Sequence, residues 1–375
     1  MKRMAIAVCA LSAACLAEPS EPRAEEPVEY VRICDAFGSD FFYIPGTDTC
    51  LRIGGRVNLS YIENPNKLGG GTVVDQQNVE GFGFSVKDWL NRVGFGTSFE
   101  YGLGRDALPS LLGDGAYGFL YGDFAYAEGD AKSSGKSEVG VDGVTKVGLT
   151  LGQQDPIVGT GVGATTPGFG LKGWSKLDNS WSFGTIGAGH TYMHDEYDEF
   201  PDFAYVVRVG GYVEQIDFDS RGRSKITFNG NPFDGFFQRF DYESRDTYAG
   251  AVLGLDFLFQ PIERVQFTVG YDFLAAYHWG SGDFRMTTGV GGGNTVMENF
   301  NYENNGLTLG GTLKVAVDVG LGADITIGGF YKGSIVPQVT AANKPSSPQT
   351  QPFFFESKNI QRHEFGVKFQ RVFAP

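Results

Sequence analysis

The sequence predicts an all-β fold, a transmembrane antiparallel β-barrel, and three observations predict it. Apolar and polar residues alternate along many segments of about ten residues, the period of a strand with two different faces. Aromatic residues make up 14% of the chain, yet the mean hydropathy is only −0.17. No segment approaches the roughly 18 consecutive apolar residues of a membrane-spanning helix. In a membrane barrel every second side chain faces lipid and the others face water, which keeps the mean hydropathy near zero.

The N-terminus has the pattern of an export signal. Two basic residues precede the apolar run Met4–Leu16, which is shorter than the roughly 20 residues that a membrane-spanning helix needs. We therefore expect residues 1–24 to be a secretory signal peptide, with cleavage after Ala17 or Ala24. An N-terminal anchor and a lipoprotein modification at Cys15 are the alternative interpretations.

Residues 25–50 are predicted to form an N-terminal lead that contains the two cysteines of the mature chain, Cys34 and Cys50. In the oxidising compartment that an export signal implies, we expect these two cysteines to form a disulfide. Closing so short a loop would contribute about 3 kcal/mol to stability in the chain-entropy model. A zinc site is not predicted here, because no histidine or second cysteine pair is nearby.

Residues 51–373 are predicted to form the barrel, and Leu307–Leu321 shows the alternation most clearly. Leucine and valine side chains there alternate with polar ones such as Lys314 and Asp318. The run is longer than the typical soluble strand of about 5–6 residues and suits a tilted membrane strand of about 9–11 residues. Similar alternation predicts further strands at Leu51–Ile62, Asn91–Tyr101, Val144–Gln153, Phe203–Val213, Ala249–Phe259 and Val265–Tyr277. A further strand is predicted at Ala116–Glu128, where the two faces are less distinct.

The connections between these segments differ in length. Leu307–Leu321 and Ile325–Tyr331 are separated only by Gly322, Ala323 and Asp324, whereas the connections at residues 129–143 and 155–180 are long and polar. Short turns at one end and long loops at the other are typical of outer-membrane barrels. The last predicted strand alternates from Phe365 to Phe373 and agrees with this fold.

Several other functions are disfavoured by the sequence. The formal net charge of −14 disfavours nucleic acid as a partner. The glycine-rich segment 159–164 has the spacing of a dinucleotide-binding loop, but Thr-Thr-Pro-Gly follows instead of a helix. His190 and His194 are four residues apart and offer too few ligands for a firm metal site. We predict no enzyme activity, no cofactor and no metal.

A barrel with a water-filled lumen needs charged side chains on its inner rows, because these set the local field and the size limit of a pore. The residues opposite the apolar rows include four basic candidates, Arg52, Arg56, Arg92 and Lys146. The acidic counterparts are Glu100, Asp256, Asp272 and Asp318. The alternative interpretation is that these charges only solvate the wall and pair locally.

Two neighbouring segments carry a family resemblance. EYVRICDAFG at Glu29–Gly38 and FYIPGTDTCLRIGG at Phe42–Gly55 resemble the N-terminal signature of the alphaproteobacterial porin family, and GLTLGQ at 148–153 is similar to the strand that enters the family's constriction loop. The resemblance implies an outer-membrane general diffusion porin with a barrel of sixteen strands, a homotrimer, and a third loop folded into the lumen. Residues 155–180 are the corresponding candidate loop, which offers Asp155, Lys172, Lys176 and Asp178.

The expected function is therefore a channel in the lipid of the outer membrane for passive diffusion of small hydrophilic solutes and ions. A substrate-preferring channel, for example for sugars, is the first alternative and would need an aromatic row in the lumen from Trp174, Trp181 and Tyr192. A soluble secreted β-sandwich such as an adhesin is the second, and it would bury its apolar rows between two sheets.

Overall fold

The computed structural model describes residues 42–43, 50–65, 69–75, 78–83, 89–104, 116–138, 146–149, 162–164, 168–193, 203–262, 264–293, 295–322, 325–343 and 354–371. The predicted signal peptide at residues 1–24 and Cys34 of the predicted disulfide lie outside these residues. The described residues include no helix long and apolar enough to cross a membrane.

All of the described regular structure is β-strand. The strands are β1 Phe42–Tyr43, β2 Cys50–Glu63, β3 Gly69–Asp75, β4 Asn78–Gly83, β5 Trp89–Gly104, β6 Ala116–Glu138, β7 Lys146–Leu149, β8 Val162–Ala164, β9 Phe169–Met193, β10 Phe203–Phe228, β11 Asn231–Ile262, β12 Val265–Val290, β13 Thr295–Gly322, β14 Ile325–Asn343 and β15 Phe354–Arg371.

Ten of these strands form a closed antiparallel ring in the order β2, β5, β6, β9, β10, β11, β12, β13, β14, β15. The ring closes where Ile53–Ile62 of β2 pairs with Arg362–Arg371 of β15. The prediction of an all-β antiparallel barrel is confirmed. The expected count of sixteen strands is not confirmed, since the ring of described strands has ten.

The outer face of the ring carries continuous apolar rows. Leu307 is 81% exposed, and Leu309, Leu313, Val315, Val319 and Leu321 follow it on the same outward face of β13. Equivalent rows are present on the neighbouring strands: Leu253, Leu255, Phe257 and Phe259 on β11, Phe267, Val269, Tyr271 and Phe273 on β12, and Phe365, Val367 and Phe369 on β15. A β-sandwich would bury these rows between sheets, so that alternative was wrong.

One end of the ring, called here the lower end, has the short connections β11–β12 and β13–β14, and β2 starts and β15 ends there. The expected division into short turns at one end and long loops at the other was wrong, because β10 and β11 are joined by only Asn229 and Gly230 at the opposite end. At the opposite, upper end, strands β6 and β9 to β13 continue beyond the apolar rows. On β10 the outward residues change from Val209 and Val213 to Asp217, Asp219 and Arg221. On β10 this upper extension therefore has a polar outer face, which suits water rather than lipid.

Two of the predicted polar connections were partly wrong because of this extension. β6 continues to Glu138 through the first half of the predicted connection 129–143, and β9 starts at Phe169 inside the predicted loop 155–180. An apolar outer row is required only where a strand contacts lipid, so the alternation that identifies a membrane strand disappears while the strand itself continues.

A second, smaller sheet has the order β4–β3–β7–β8 and is separate from the ring. The predicted strand Val144–Gln153 is present only as β7, which belongs to this sheet. β3 and β7 approach β9, β10 and β11. The predicted strand therefore forms, but it is not one of the strands of the barrel wall.

The core lies inside the ring, where inward side chains of most strands meet in what we call the apolar layer. Its members share almost complete burial: Ile62, Leu90, Ala125, Ala127, Leu177, Trp181, Tyr212, Ile216, Phe218, Tyr248, Val252, Leu274, Ala276, Val336, Val339 and Ile360. The interior at this level is filled by side chains rather than open.

Candidate functional site

The candidate site is the charged interior of the ring next to the apolar layer. Strand alternation places its residues, because every second side chain of an antiparallel wall points inward. On β2 the inward row contains Arg52 and Arg56, and on β5 it contains Arg92 and Glu100. The three arginines predicted from alternation therefore do lie inside the ring.

The first group of ion pairs is centred on Arg56. Its Nη1 contacts Oδ1 of Asp123, and its Nε lies 3.9 Å from Oε1 of Glu364. Lys332 Nζ approaches Oδ2 of Asp123 at 3.6 Å. This group therefore contains two basic and two acidic side chains, which come from β2, β6, β14 and β15 and meet on the inner side of the wall.

A second group, called here the four-charge cluster, consists of Arg208, Asp256, Asp272 and Lys314. Lys314 Nζ lies 2.8 Å from Oδ1 of Asp256 and 2.8 Å from Oδ1 of Asp272. Arg208 Nη2 lies 2.6 Å from Oδ2 of Asp256 and 3.2 Å from Oδ1 of Asp272. Each carboxylate is therefore shared by both cations, the arrangement that compensates partly desolvated charges.

Two further pairs complete the charged interior. Arg52 Nη2 lies 2.5 Å from Oε2 of Glu100, and Lys368 Nζ lies 2.6 Å from Oδ2 of Asp318. The six basic side chains are Arg52, Arg56, Arg208, Lys314, Lys332 and Lys368, and the six acidic ones are Glu100, Asp123, Asp256, Asp272, Asp318 and Glu364. The formal charges of these twelve side chains cancel.

Ten of these twelve side chains, all except Arg52 and Asp318, line a cavity of about 210 Å³. Arg56, Asp123, Arg208, Lys314 and Lys368 are among its lining residues. The volume is sufficient for several water molecules, each of which occupies about 30 Å³ in the liquid. The cavity can therefore hold water or small hydrated ions between opposed charges.

The apolar layer contains its own buried polar groups. Glu214 contacts Nη1 of Arg362 and accepts a hydrogen bond of 2.6 Å from Nε1 of Trp181. The guanidinium of Arg362 lies 4.4 Å from the ring centroid of Trp181, a cation–π contact. Arg92 is 1% exposed and donates from Nε to Asn179, while neither of its Nη atoms has a hydrogen-bond partner in the described part of the chain.

The remaining predicted site residues are not in this interior. Lys172, Lys176 and Asp178 were assigned to a loop in the lumen, but they lie on β9, on the outward face that also carries Ile186. That assignment was wrong, because the register of β9 with β10 is unbroken and fixes which side chains point out. Lys146 is on β7 of the smaller sheet, and Asp155 lies outside the described residues.

Several interior residues were missed as site candidates. Arg208, Lys314, Glu364 and Lys368 oppose apolar rows in the sequence, so alternation was sufficient to find them. Asp123, Glu214 and Arg362 had no such signal, because their strands have weak alternation or continue past the predicted end. The predicted acidic counterparts Glu100, Asp256, Asp272 and Asp318 all lie inside the ring. Within the described ranges no group of three His, Cys, Asp or Glu side chains could hold a metal ion.

Comparison with known proteins finds a matching family model and relatives for the N-terminal part of the chain. Residues 22–103 match the porin subfamily model. The chain is 52% identical over 60 residues to outer membrane protein IIIA of Rhizobium leguminosarum bv. viciae, which is 16% of this chain and 15% of that protein. It is 41% identical over 98 residues to porin Omp2b of Brucella canis, which is 26% of this chain and 25% of that protein. The predicted resemblance is confirmed over this segment, and these matches span a quarter or less of the relatives' length.

Among solved structures, the outer membrane protease OmpT of Escherichia coli aligns with 87% of this chain and 96% of its own. The sequence identity in that alignment is 7% and the TM-score is 0.40. The toluene transporter TodX of P. putida aligns with 92% of each chain at 10% identity and a TM-score of 0.24.

Proposed function

With residues 22–103 matching the porin subfamily, we propose that the chain is an outer-membrane porin that passes small hydrophilic solutes and ions by passive diffusion. The observation that carries the proposal is the division of the ring into two environments. The outward rows are apolar, and the inward rows carry ion pairs around a cavity. Such a wall is stable only if lipid lies outside and a polar medium inside.

Opposed charges at a narrow level set the ion preference of a pore. Arg56 and Asp123 face one another in the cavity with Arg208 and Asp272 close by, so we place the selective level there. Since the six acidic and six basic side chains cancel, the native preference is expected to be weak. Changing the sign of one of them should then have a large effect.

Other features of the proposal rest on the family resemblance or the sequence pattern alone. These are a barrel of sixteen strands, a homotrimer, a third loop folded into the lumen, removal of residues 1–24, and a disulfide between Cys34 and Cys50. The loop could now include only the part of residues 155–180 that precedes β9. No reaction is assigned to the chain.

The sugar-preferring alternative has no support from the aromatic side chains on which it depended. Trp181 points inward and is buried, whereas Trp174 is on the outward face of β9 and is half exposed. Tyr192 shares the outward parity of Trp174 and stacks on Tyr205 with ring centroids 4.7 Å apart. The three rings therefore do not form one row along the lumen.

Planar-bilayer recording of the purified full chain tests the proposal. Folding into the barrel is checked first by the shift in gel mobility between heated and unheated samples. We expect stepwise conductance in potassium chloride, and steps that occur in groups of three would support a trimer. A folded protein that stays silent under conditions in which a known porin conducts would contradict the proposed function.

A further inference from the structure

Strand β14 leaves the barrel wall at its upper end. It pairs with β13 from Ile325 to Ile335, and beyond Ile335 no pairing with β13 is present among the described residues. The register with β15 shifts between Val336 and Val339, and Gln338 has a φ of 56°, in the left-handed region that non-glycine residues rarely adopt. Pro337 cannot donate to a ladder. The backbone therefore turns away from β13 at Pro337.

The turned segment, residues 336–343 and called here the inward arm, keeps its pairing with residues 354–360 of β15 and lies over the inner face of the wall as far as β11. Tyr248 Oη donates to the carbonyl of Pro337 at 2.8 Å, and Tyr242 Oη donates to the carbonyl of Thr340 at 3.2 Å. Asp246 Oδ1 accepts from the backbone N of Thr340 at 2.9 Å and from its Oγ1 at 2.7 Å. β12 and β13 separate β14 from β11 in the ring, so the arm reaches β11 over the inner face of these two strands, where Asn304 of β13 donates to the carbonyl of Gln338 at 3.3 Å.

These bonds are protected from water. Tyr242, Asp246, Tyr248, Val339 and Thr340 are completely buried, and Val339 belongs to the apolar layer. Tyr242 lies in the upper extension, beyond the apolar outer rows, and burial raises the pKa of its hydroxyl, so this group remains a donor at any physiological pH. Hydrogen bonds in such an environment hold a segment in one discrete position.

The departure of the arm leaves a matching edge open. Residues 295–310 of β13 pair with β12 on one side, and no described strand pairs with them on the other. Leu307 and Leu309 on this edge are among the most exposed apolar residues of the wall. A strand edge with unpaired backbone groups is a ready site for another strand, so the arm has a second place to bind, outside the lumen.

We propose that the inward arm is a movable plug that closes the pore, latched to β11 by Tyr242, Asp246 and Tyr248. In the closed state Val336 and Val339 complete the apolar layer above the charged cavity. In the open state the arm returns to the edge of β13 and the layer loses these side chains. This proposal rests on the proposed channel function, because a plug has an effect only where solutes pass.

The latch is tested by removing three hydroxyl groups without changing side-chain volume much, in the variant Y242F/Y248F/T340V. A hydrogen bond between neutral groups changes an equilibrium by a factor of about five, and the bond from Thr340 to the carboxylate of Asp246 changes it by more. The three together should shift the ratio of closed to open states by at least about 100-fold. The matched control is Y271F/Y277F/T287V, which removes the same groups from the outward face of β12. All three proteins are recorded as full chains in planar bilayers.

We expect the latch variant to spend far more time at the high-conductance level than the native chain or the control. Equal open fractions in folded, conducting proteins would overturn the plug while leaving the porin function intact. Silence of all three proteins would instead contradict the porin function.

A second readout does not depend on conductance. The thiol introduced by the substitution Val339→Cys should react slowly with a membrane-impermeant maleimide, because Val339 is buried in the closed state. The same thiol in the latch variant should react at least tenfold faster. The native chain, labelled in parallel, measures the background reaction of its own cysteines. Equal rates in the two backgrounds would overturn the movable arm.

Discussion

Lys314 offers a sharp test of the charged interior, because its ammonium group compensates two carboxylates at once. In the variant Lys314→Met, Asp256 and Asp272 keep Arg208 as their one ion-pair partner among the described residues. Removing one partner of a fully buried ion pair costs about 3–5 kcal/mol. The Lys314 side chain is 13% exposed and borders the cavity, so water can replace part of the lost interaction. We therefore expect a loss of about 2–3 kcal/mol in the free energy of unfolding.

The matched control is Lys176→Met on the outer face of the upper extension. Lys176 Nζ lies 2.6 Å from Oδ2 of Asp178, closer than either contact of Lys314, but its side chain is 40% exposed. An exposed pair contributes only about 0–1 kcal/mol. The assay is equilibrium urea unfolding in lipid vesicles, followed by tryptophan fluorescence. A cost for Lys314→Met no greater than that for Lys176→Met would refute the account of the four-charge cluster.

A second substitution extends this test, because the double variant Lys314→Met with Asp256→Asn should recover about half of the loss by removing one uncompensated carboxylate. Reversing two interior charges in the variant Arg52→Glu with Arg56→Glu should move the reversal potential in a salt gradient toward cation preference, and an unchanged potential would contradict their place in the pore. Leu313→Arg in the middle of the outer row of β13 should cost about 2–4 kcal/mol in vesicles, whereas Asn299→Arg on the polar extension of the same strand should cost less than about 1 kcal/mol. Arg92→Met should leave stability unchanged or raise it by about 1–2 kcal/mol, because the two unpartnered Nη atoms of Arg92 are buried; a loss of the size caused by Lys314→Met would show that these atoms are compensated.

The sequence determined which residues of the wall face lipid. On Leu307–Leu321 the apolar residues recur at every second position, and the structure places them outward as predicted. The same alternation put Arg52, Arg56 and Arg92 inside the ring. This inference is local, because the direction of a side chain on a strand depends only on its parity once one face is known.

Sequence alternation did not identify residues where the strand leaves the membrane. Lys172, Lys176 and Asp178 lie on the continuous strand β9, but no lipid constrains the outer face there, so the segment had the composition of a loop. The ion-pair partner of each interior charge could not be predicted from the sequence either. Asp123 meets Arg56 only because β6 and β2 are both neighbours of β5 in the ring.

The sequence by itself therefore determined the outer surface, because every outward residue of the wall contacts the same apolar medium and outward residues recur at every second position. Only the tertiary structure decided the interior: the ring of ten described strands, the pairing of its charges, and the inward turn of β14 at Pro337 toward Tyr248. The physical reason is that contacts inside a closed barrel join residues far apart in the chain. Their positions depend on the register and order of all the strands between them, which no local pattern contains.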